Sequence, residues 1–122
     1  MTGLRTTIAA IFVCLAGIAQ AEMQLVMAEE AGCVWCARWD REISEIYPKT
    51  SEGKSAPLHR VNIREPLPKG LKFARSLHYT PTFVLMVDGK EVNRIEGYPG
   101  EDFFWGLLAQ MISAANDVAT SG

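Results

Sequence analysis

No window of this chain is strongly basic, and its formal charge of −2 leaves no electrostatic footprint for a nucleic acid partner. No apolar run reaches the roughly 20 residues needed to span a bilayer. The sequence has only three cysteines and two histidines in 122 residues, with no HxxxH pair and no second pair of closely spaced cysteines. A tetrahedral zinc site takes four ligands, so one chain is short of a complete structural set. Internal repeats and low-complexity linkers are missing too. What remains has 48% hydrophobic and 21% charged residues, the balance of one ordinary globular domain.

The first 21 residues stand apart from that domain. Arg5 gives a positive start, Ile8 to Ile18 an uncharged apolar core, and Ala19-Gln20-Ala21 a small-x-small cleavage site. Residues 1–21 are expected to be a cleaved signal peptide and residues 22–122 a single domain, the main rival being an uncleaved anchor. Cleavage would remove Cys14 and leave Cys33 and Cys36 as the only thiols. The exported chain would then meet an oxidising compartment, with no stable membrane insertion after cleavage.

Cys33-Val34-Trp35-Cys36 is the stretch that carries chemistry. A disulfide closing so small a loop removes little chain entropy, which makes a purely structural bridge a weak reading. Two thiols on the first turn of a helix suit reversible exchange. Cys33, at the helix start, would have its thiolate favoured by the helix dipole and unpaired N–H groups, and would attack. Cys36, one turn inward, would resolve. Arg38 and Arg41 on the same helix add positive potential unless they are simply solvated. The same pair would also fit half of a metal site.

Hydrophobic periodicity places the motif. Met23 to Ala28 reads as a buried strand, and Glu29 to Gly32 as the loop into Cys33. Trp35, Trp39, Ile43, Ile46 and Tyr47 mark one face of a helix that Pro48 ends. Lys49 to Ser55 reads as a polar surface connection, Leu58 to Ile63 as a second strand, and Leu71 to Leu77 as a short helix. Thr82 to Val87 is an apolar strand, joined through Asp88-Gly89 to an antiparallel Glu91 to Ile95. Glu101 to Ala115 closes the fold as an amphipathic helix with Phe103, Phe104, Leu107, Leu108, Met111 and Ile112 on its apolar side, and Asn116 to Gly122 is a frayed tail. Strand, helix, strand, helix, strand, strand, helix is an α/β domain with a mixed sheet of about four strands.

Tyr79-Thr80-Pro81-Thr82 is the second informative stretch. Proline removes a ladder donor, so its place at the mouth of a buried strand is unusual. A cis Thr80–Pro81 bond would turn the chain sharply and free the Thr80 backbone to pair with an extended peptide. Thr80 and Pro81 are therefore candidate substrate-binding residues, the alternative being an ordinary trans proline in a turn, and Trp35 is a third, as an apolar docking surface unless it simply covers the helix end. His78 lies close in sequence, though a histidine at a helix end is more often structural. His59 receives no role.

Taken in this order, CxxC helix, Thr-Pro, ββα hairpin and terminal helix, the mature chain resembles the thioredoxin superfamily along its whole length. Ala31-Gly32-Cys33-Val34-Trp35-Cys36 and Gly97-Tyr98-Pro99-Gly100 are most similar to exported thioredoxins of sulfur-oxidation (Sox) systems. The resemblance implies a thioredoxin-like fold with Cys33 as nucleophile, Cys36 as resolving thiol and Pro81 as a cis-proline. Two positions depart from the cytosolic pattern: Gly32 stands where tryptophan is usual, and Met27 replaces a buried acid. Glu29 or Glu30 could relay protons instead, although loop glutamates are usually solvated.

The reading is a periplasmic thiol–disulfide oxidoreductase, reducing partner proteins with Cys33 and Cys36 as a redox-active disulfide. Its expected partners are protein disulfides, including sulfur-oxidation carrier proteins, and a membrane thiol-electron donor. No cofactor, metal or nucleic acid is expected, and the protein is expected to be a monomer. The rival readings are a copper or zinc module built on the same pair, with a dimer completing a Cys₄ site, and a redox-inert interaction domain.

Overall fold

The computed structural model describes residues 3, 9–13 and 21–121. Most of the expected signal segment, Cys14 included, lies outside the described residues. The elements are β1 (Met23–Glu29), α1 (Val34–Trp39), α2 (Ser51–Ser55), β2 (Leu58–Asn62), β3 (Thr82–Val87), β4 (Lys90–Glu96) and α3 (Glu101–Ser121). A π-helical turn, Asp40–Ser44, continues α1, and a 3-10 turn, Tyr47–Lys49, leads into α2.

The sheet runs in the order β2-β1-β3-β4. β1 pairs parallel with β2 and antiparallel with β3, and β3 pairs antiparallel with β4. The mixed four-stranded sheet matches the fold class expected from the sequence. Both central strands are buried on two faces, which is why Leu25 to Ala28 and Phe83 to Met86 read as continuous apolar runs. Asp88 and Gly89, both at positive φ, form the two-residue hairpin between β3 and β4.

One face of the sheet carries α1 and α3, packed on Leu25, Met27, Phe83 and Leu85. Trp39 anchors α1 there, its ring 5.3 Å from Phe83 and 5.8 Å from Phe104. The opposite face, Val26, Ala28, Val61, Val84 and Met86, is covered by Ile63, Leu71, Phe73 and Leu77.

Several elements differ from the sequence expectation. Leu71 to Leu77 is not a helix. Lys72 instead pairs with the β4 hairpin, donating to Gly89 O (2.7 Å) and accepting from Glu91 N (3.0 Å). The Ala74 N–H goes to Glu91 Oε1, and Arg94 donates to the carbonyls of Arg75 and Ser76. With these backbone groups satisfied from β4, the segment runs extended and lays its apolar residues on the sheet. The Lys49 to Ser55 connection holds α2, capped by Thr50 Oγ1 accepting Gly53 N–H at 3.0 Å. Trp35, Ile46, Phe103 and Leu107 leave the predicted apolar faces for solvent. Finally, α3 continues through the expected frayed tail to Ser121.

Candidate active site

The strand β1 delivers the chain to a tight turn in which Cys33 N–H donates to Glu30 O at 3.3 Å. Gly32 has φ of +79°, a left-handed conformation that costs an L side chain energy, and this is the local reason for glycine before the first cysteine. Cys33 then caps α1 in an extended conformation. Its Sγ accepts the Cys36 N–H at 3.1 Å, so sulfur stands where a serine or aspartate oxygen usually caps a helix. Cys33 and Cys36 are joined as a disulfide with Cα atoms 5.2 Å apart. Their surroundings differ: Cys33 is half-buried, whereas Cys36 is 5% exposed and belongs to the core.

Trp35 projects outward, 52% exposed beside the still more exposed Val34. The Arg38 guanidinium lies 5.6 Å from the Trp35 ring and 5.9 Å from that of Tyr98. Arg38 is also paired with Glu42 at 2.7 Å, so its charge is largely answered locally, while Arg41 is exposed. Glu42 accepts the Tyr98 hydroxyl at 3.3 Å. Burial, aided by the negative charge and hydrogen bond of Glu42, holds the Tyr98 phenol up at about 12. The Gly97-Tyr98-Pro99-Gly100 segment is thereby fastened to α1.

The Thr80–Pro81 peptide bond is cis. Pro81 is buried and accepts Gly97 N–H at its carbonyl (2.7 Å), while Thr82 Oγ1 donates to Tyr79 O (2.6 Å). Trp35, His78, Tyr79, Thr80, Glu96 and Gly97 line one open groove of about 520 Å³. Trp35 and Thr80, 45 positions apart in sequence, therefore meet on one surface, with Pro81 behind it. His78 is exposed on the rim, and His59 bonds Gln24 on the β1–β2 surface. A more apolar groove between Val92 and Met111 holds none of the predicted site residues.

Met27 is fully buried in the cluster that contains Cys36. Its β2 neighbour Arg60 pairs with Glu29 and Asp40, each at 2.7 Å, and sits 5.6 Å from the Trp39 ring. Glu30 pairs with Arg64 at 2.7 Å and accepts the Thr80 hydroxyl at 3.3 Å. Glu29, which ends β1 rather than lying in the expected loop, and Glu30 are thus engaged with arginines rather than merely solvated. Sequence reasoning missed the Glu30–Thr80 contact and the Arg38–Glu42–Tyr98 chain because neither has a local pattern. Among the described residues no group of three His, Cys, Asp or Glu side chains is placed to hold a metal ion, and no helix is long and apolar enough to cross a membrane.

The sequence matches no family model and no curated protein. Among solved structures, the periplasmic thioredoxin SoxS from Paracoccus pantotrophus, in its reduced form, shares 55% identity with a TM-score of 0.75, over 77% of this chain and 99% of that one. Thioredoxin Mala s 13 of Malassezia sympodialis superposes with a TM-score of 0.56 at 15% identity, over 75% of this chain and 78% of that one, a likeness of fold alone. More than half of the residues shared with a thioredoxin along nearly that protein's whole length, on a fold that sets two cysteines at a helix start, make this chain a member of the thioredoxin superfamily and a thiol–disulfide oxidoreductase.

Proposed function

We propose that the protein is a periplasmic reductase of protein disulfides, with Cys33 as the attacking thiol and Cys36 as the resolving one. The unequal exposure of the two sulfurs supports these roles above all else. In the reduced form, the Cys33 thiolate attacks one sulfur of a partner disulfide and expels the other as a thiolate, leaving a mixed disulfide. The Cys36 N–H, already donating to Cys33 Sγ, stabilises the charge before attack. Cys36, after losing its proton, then attacks Cys33, releasing the second partner thiol and leaving Cys33–Cys36 oxidised. Two electrons have passed to the partner, and a membrane thiol-electron donor restores the dithiol.

Trp35 and Thr80 hold the partner's backbone along the shared groove, with Pro81 fixing the loop behind Thr80. The periplasmic setting is supported by the SoxS relative and by the predicted signal segment at residues 1–21. Residues 22–122 are read from the sequence as one domain acting as a monomer. Sulfur-oxidation carrier proteins are the targets that the resemblance of the Ala31 to Cys36 and Gly97 to Gly100 stretches to Sox thioredoxins implies.

A trapping experiment tests the roles. Reduced Cys36→Ser should accumulate a stable mixed disulfide with a disulfide-bridged peptide, visible by mass spectrometry, because nothing resolves it. Cys33→Ser should form none and lose turnover. Trapping by Cys33→Ser instead would reverse the two assignments.

A further inference from the structure

Glu30 is the first residue beyond β1, and its polar atoms reach three parts of the molecule at once. Its carbonyl accepts the Cys33 N–H at 3.3 Å. One carboxylate oxygen, Oε1, accepts the Thr80 hydroxyl at 3.3 Å, and the other, Oε2, accepts Arg64 Nε at 2.7 Å. Thr80 is 50 positions away in sequence, and Arg64 follows β2. The Glu30 side chain is 25% exposed, while its Arg64 partner is 78% exposed. An ion pair so open to water contributes little to stability. The contact with Thr80 is the part-buried one, and Thr80 itself lines the groove.

The loop at Thr80 is pinned from the β4 side by Gly97 N–H on the Pro81 carbonyl. The Tyr79 side chain just before it is 63% exposed, and its carbonyl accepts the Thr82 hydroxyl within the loop itself (2.6 Å). Glu30 supplies the pin from the β1 side. We propose that Glu30 is a positioning residue for disulfide exchange: it sets the Thr80 loop at a fixed place relative to Cys33, so that a bound peptide presents its disulfide in line with the attacking sulfur. Arg64 holds the second carboxylate oxygen and thereby turns the first toward Thr80. With both oxygens so engaged, Glu30 acts through Thr80 rather than as a proton carrier for Cys36. The inference rests on the reading of Cys33 as nucleophile and of Thr80 as a peptide-contacting residue.

The experiment compares two disulfide substrates with the reduced full chain. A disulfide-bridged peptide needs the Thr80 loop in register, whereas 5,5′-dithiobis(2-nitrobenzoate) needs only an accessible Cys33 thiolate. Glu30→Ala should lower kcat/KM for the peptide about tenfold, the scale of one lost hydrogen bond to a charged group, and leave the aryl disulfide rate unchanged. Glu30→Gln keeps an acceptor for Thr80 and should restore the peptide rate to within about threefold. Thr80→Val should reproduce the Glu30→Ala loss, and the double variant should lose no more than either single one.

Equal losses on both substrates would overturn the inference in favour of a direct role at the thiols. An unchanged peptide rate in Glu30→Ala would overturn it too, as would additive losses in the double variant. A wild type inert toward both substrates, or a fully active Cys33→Ser, would sink the reading of the site itself. Failure of the Glu30 variants alone leaves that reading standing.

Discussion

At the scale of single residues, two glycines in helices carry opposite expectations. Gly53 is buried in α2, and a Cβ added there would overlap the backbone carbonyl of Tyr47. Gly106 is exposed in α3, and a Cβ added there meets nothing within 4 Å. Helix propensity alone favours alanine over glycine by about 1 kcal/mol at both sites. Backbone overlap reverses the sign at the first, since forcing a packed interior apart costs about 1–3 kcal/mol or more. Gly106→Ala should therefore raise the thermal midpoint and Gly53→Ala should lower it, measured by circular dichroism. A rise in both would mean that α2 yields freely to Tyr47. The run around Gly53 read as a polar surface loop because its composition is that of a loop, and what faces it is set by chain folding rather than by neighbours in sequence. Gly32 was legible only as a departure from a familiar tryptophan. Its positive φ gives the physical reason for glycine there.

At the scale of elements, the strands, the hairpin and the cysteine-bearing helix were legible because period and turn chemistry are local properties. The segment from Leu71 to Leu77 was not, because its fold depends on two side chains about 20 positions later. Glu91 and Arg94 are each only 5% exposed at the side chain and paired with one another. Glu91 accepts the Ala74 N–H, and Arg94 reaches the carbonyls of Arg75 and Ser76. Removing Arg94 leaves the part-buried Glu91 carboxylate with the Ala74 amide but without its main partner, at a cost of about 1–3 kcal/mol. Arg94→Met should destabilise the fold on that scale in urea unfolding, and adding Glu91→Leu should recover a substantial part. The pair also makes a pH statement. Burial pulls the Glu91 carboxyl up, but hydrogen bonds from Arg94 and the Ala74 amide, with the Arg94 charge, bring it below its ordinary value. A depressed carboxylate stabilises the fold above the unfolded pKa of about 4.3, and that contribution is lost as pH falls through the lower folded value. Wild type should lose this stability below about pH 4, and the Glu91→Leu/Arg94→Met variant should lack the step. A double variant with an unchanged acid limb would place the acid-sensitive group elsewhere.

At the scale of the whole molecule, thiol–disulfide exchange was legible from one short stretch, Cys33 to Cys36, and the fold brings Trp35 of that stretch and Thr80 of the Thr80-Pro81 stretch into one groove. The direction of electron flow is a different kind of property, because it depends on a difference between two folded states. Stability and potential are linked by a closed cycle: if the oxidised fold is the more stable, the disulfide is harder to reduce than in the unfolded chain, by about 30 mV for every 1.4 kcal/mol. A strong oxidant reverses that order by stabilising its reduced thiolate. Among the described residues, the Cys36 amide is the one hydrogen-bond donor to Cys33 Sγ, and the Arg38 guanidinium is paired with Glu42. One amide and a compensated arginine give the thiolate modest stabilisation. The oxidised protein should therefore unfold at higher urea than the reduced protein, with a gap above about 1 kcal/mol, and its potential, measured by equilibration with glutathione, should lie below that of its own unfolded chain by the matching amount. The reverse order of stability would mark an oxidase and overturn the proposed direction, while leaving the exchange chemistry of Cys33 and Cys36 intact.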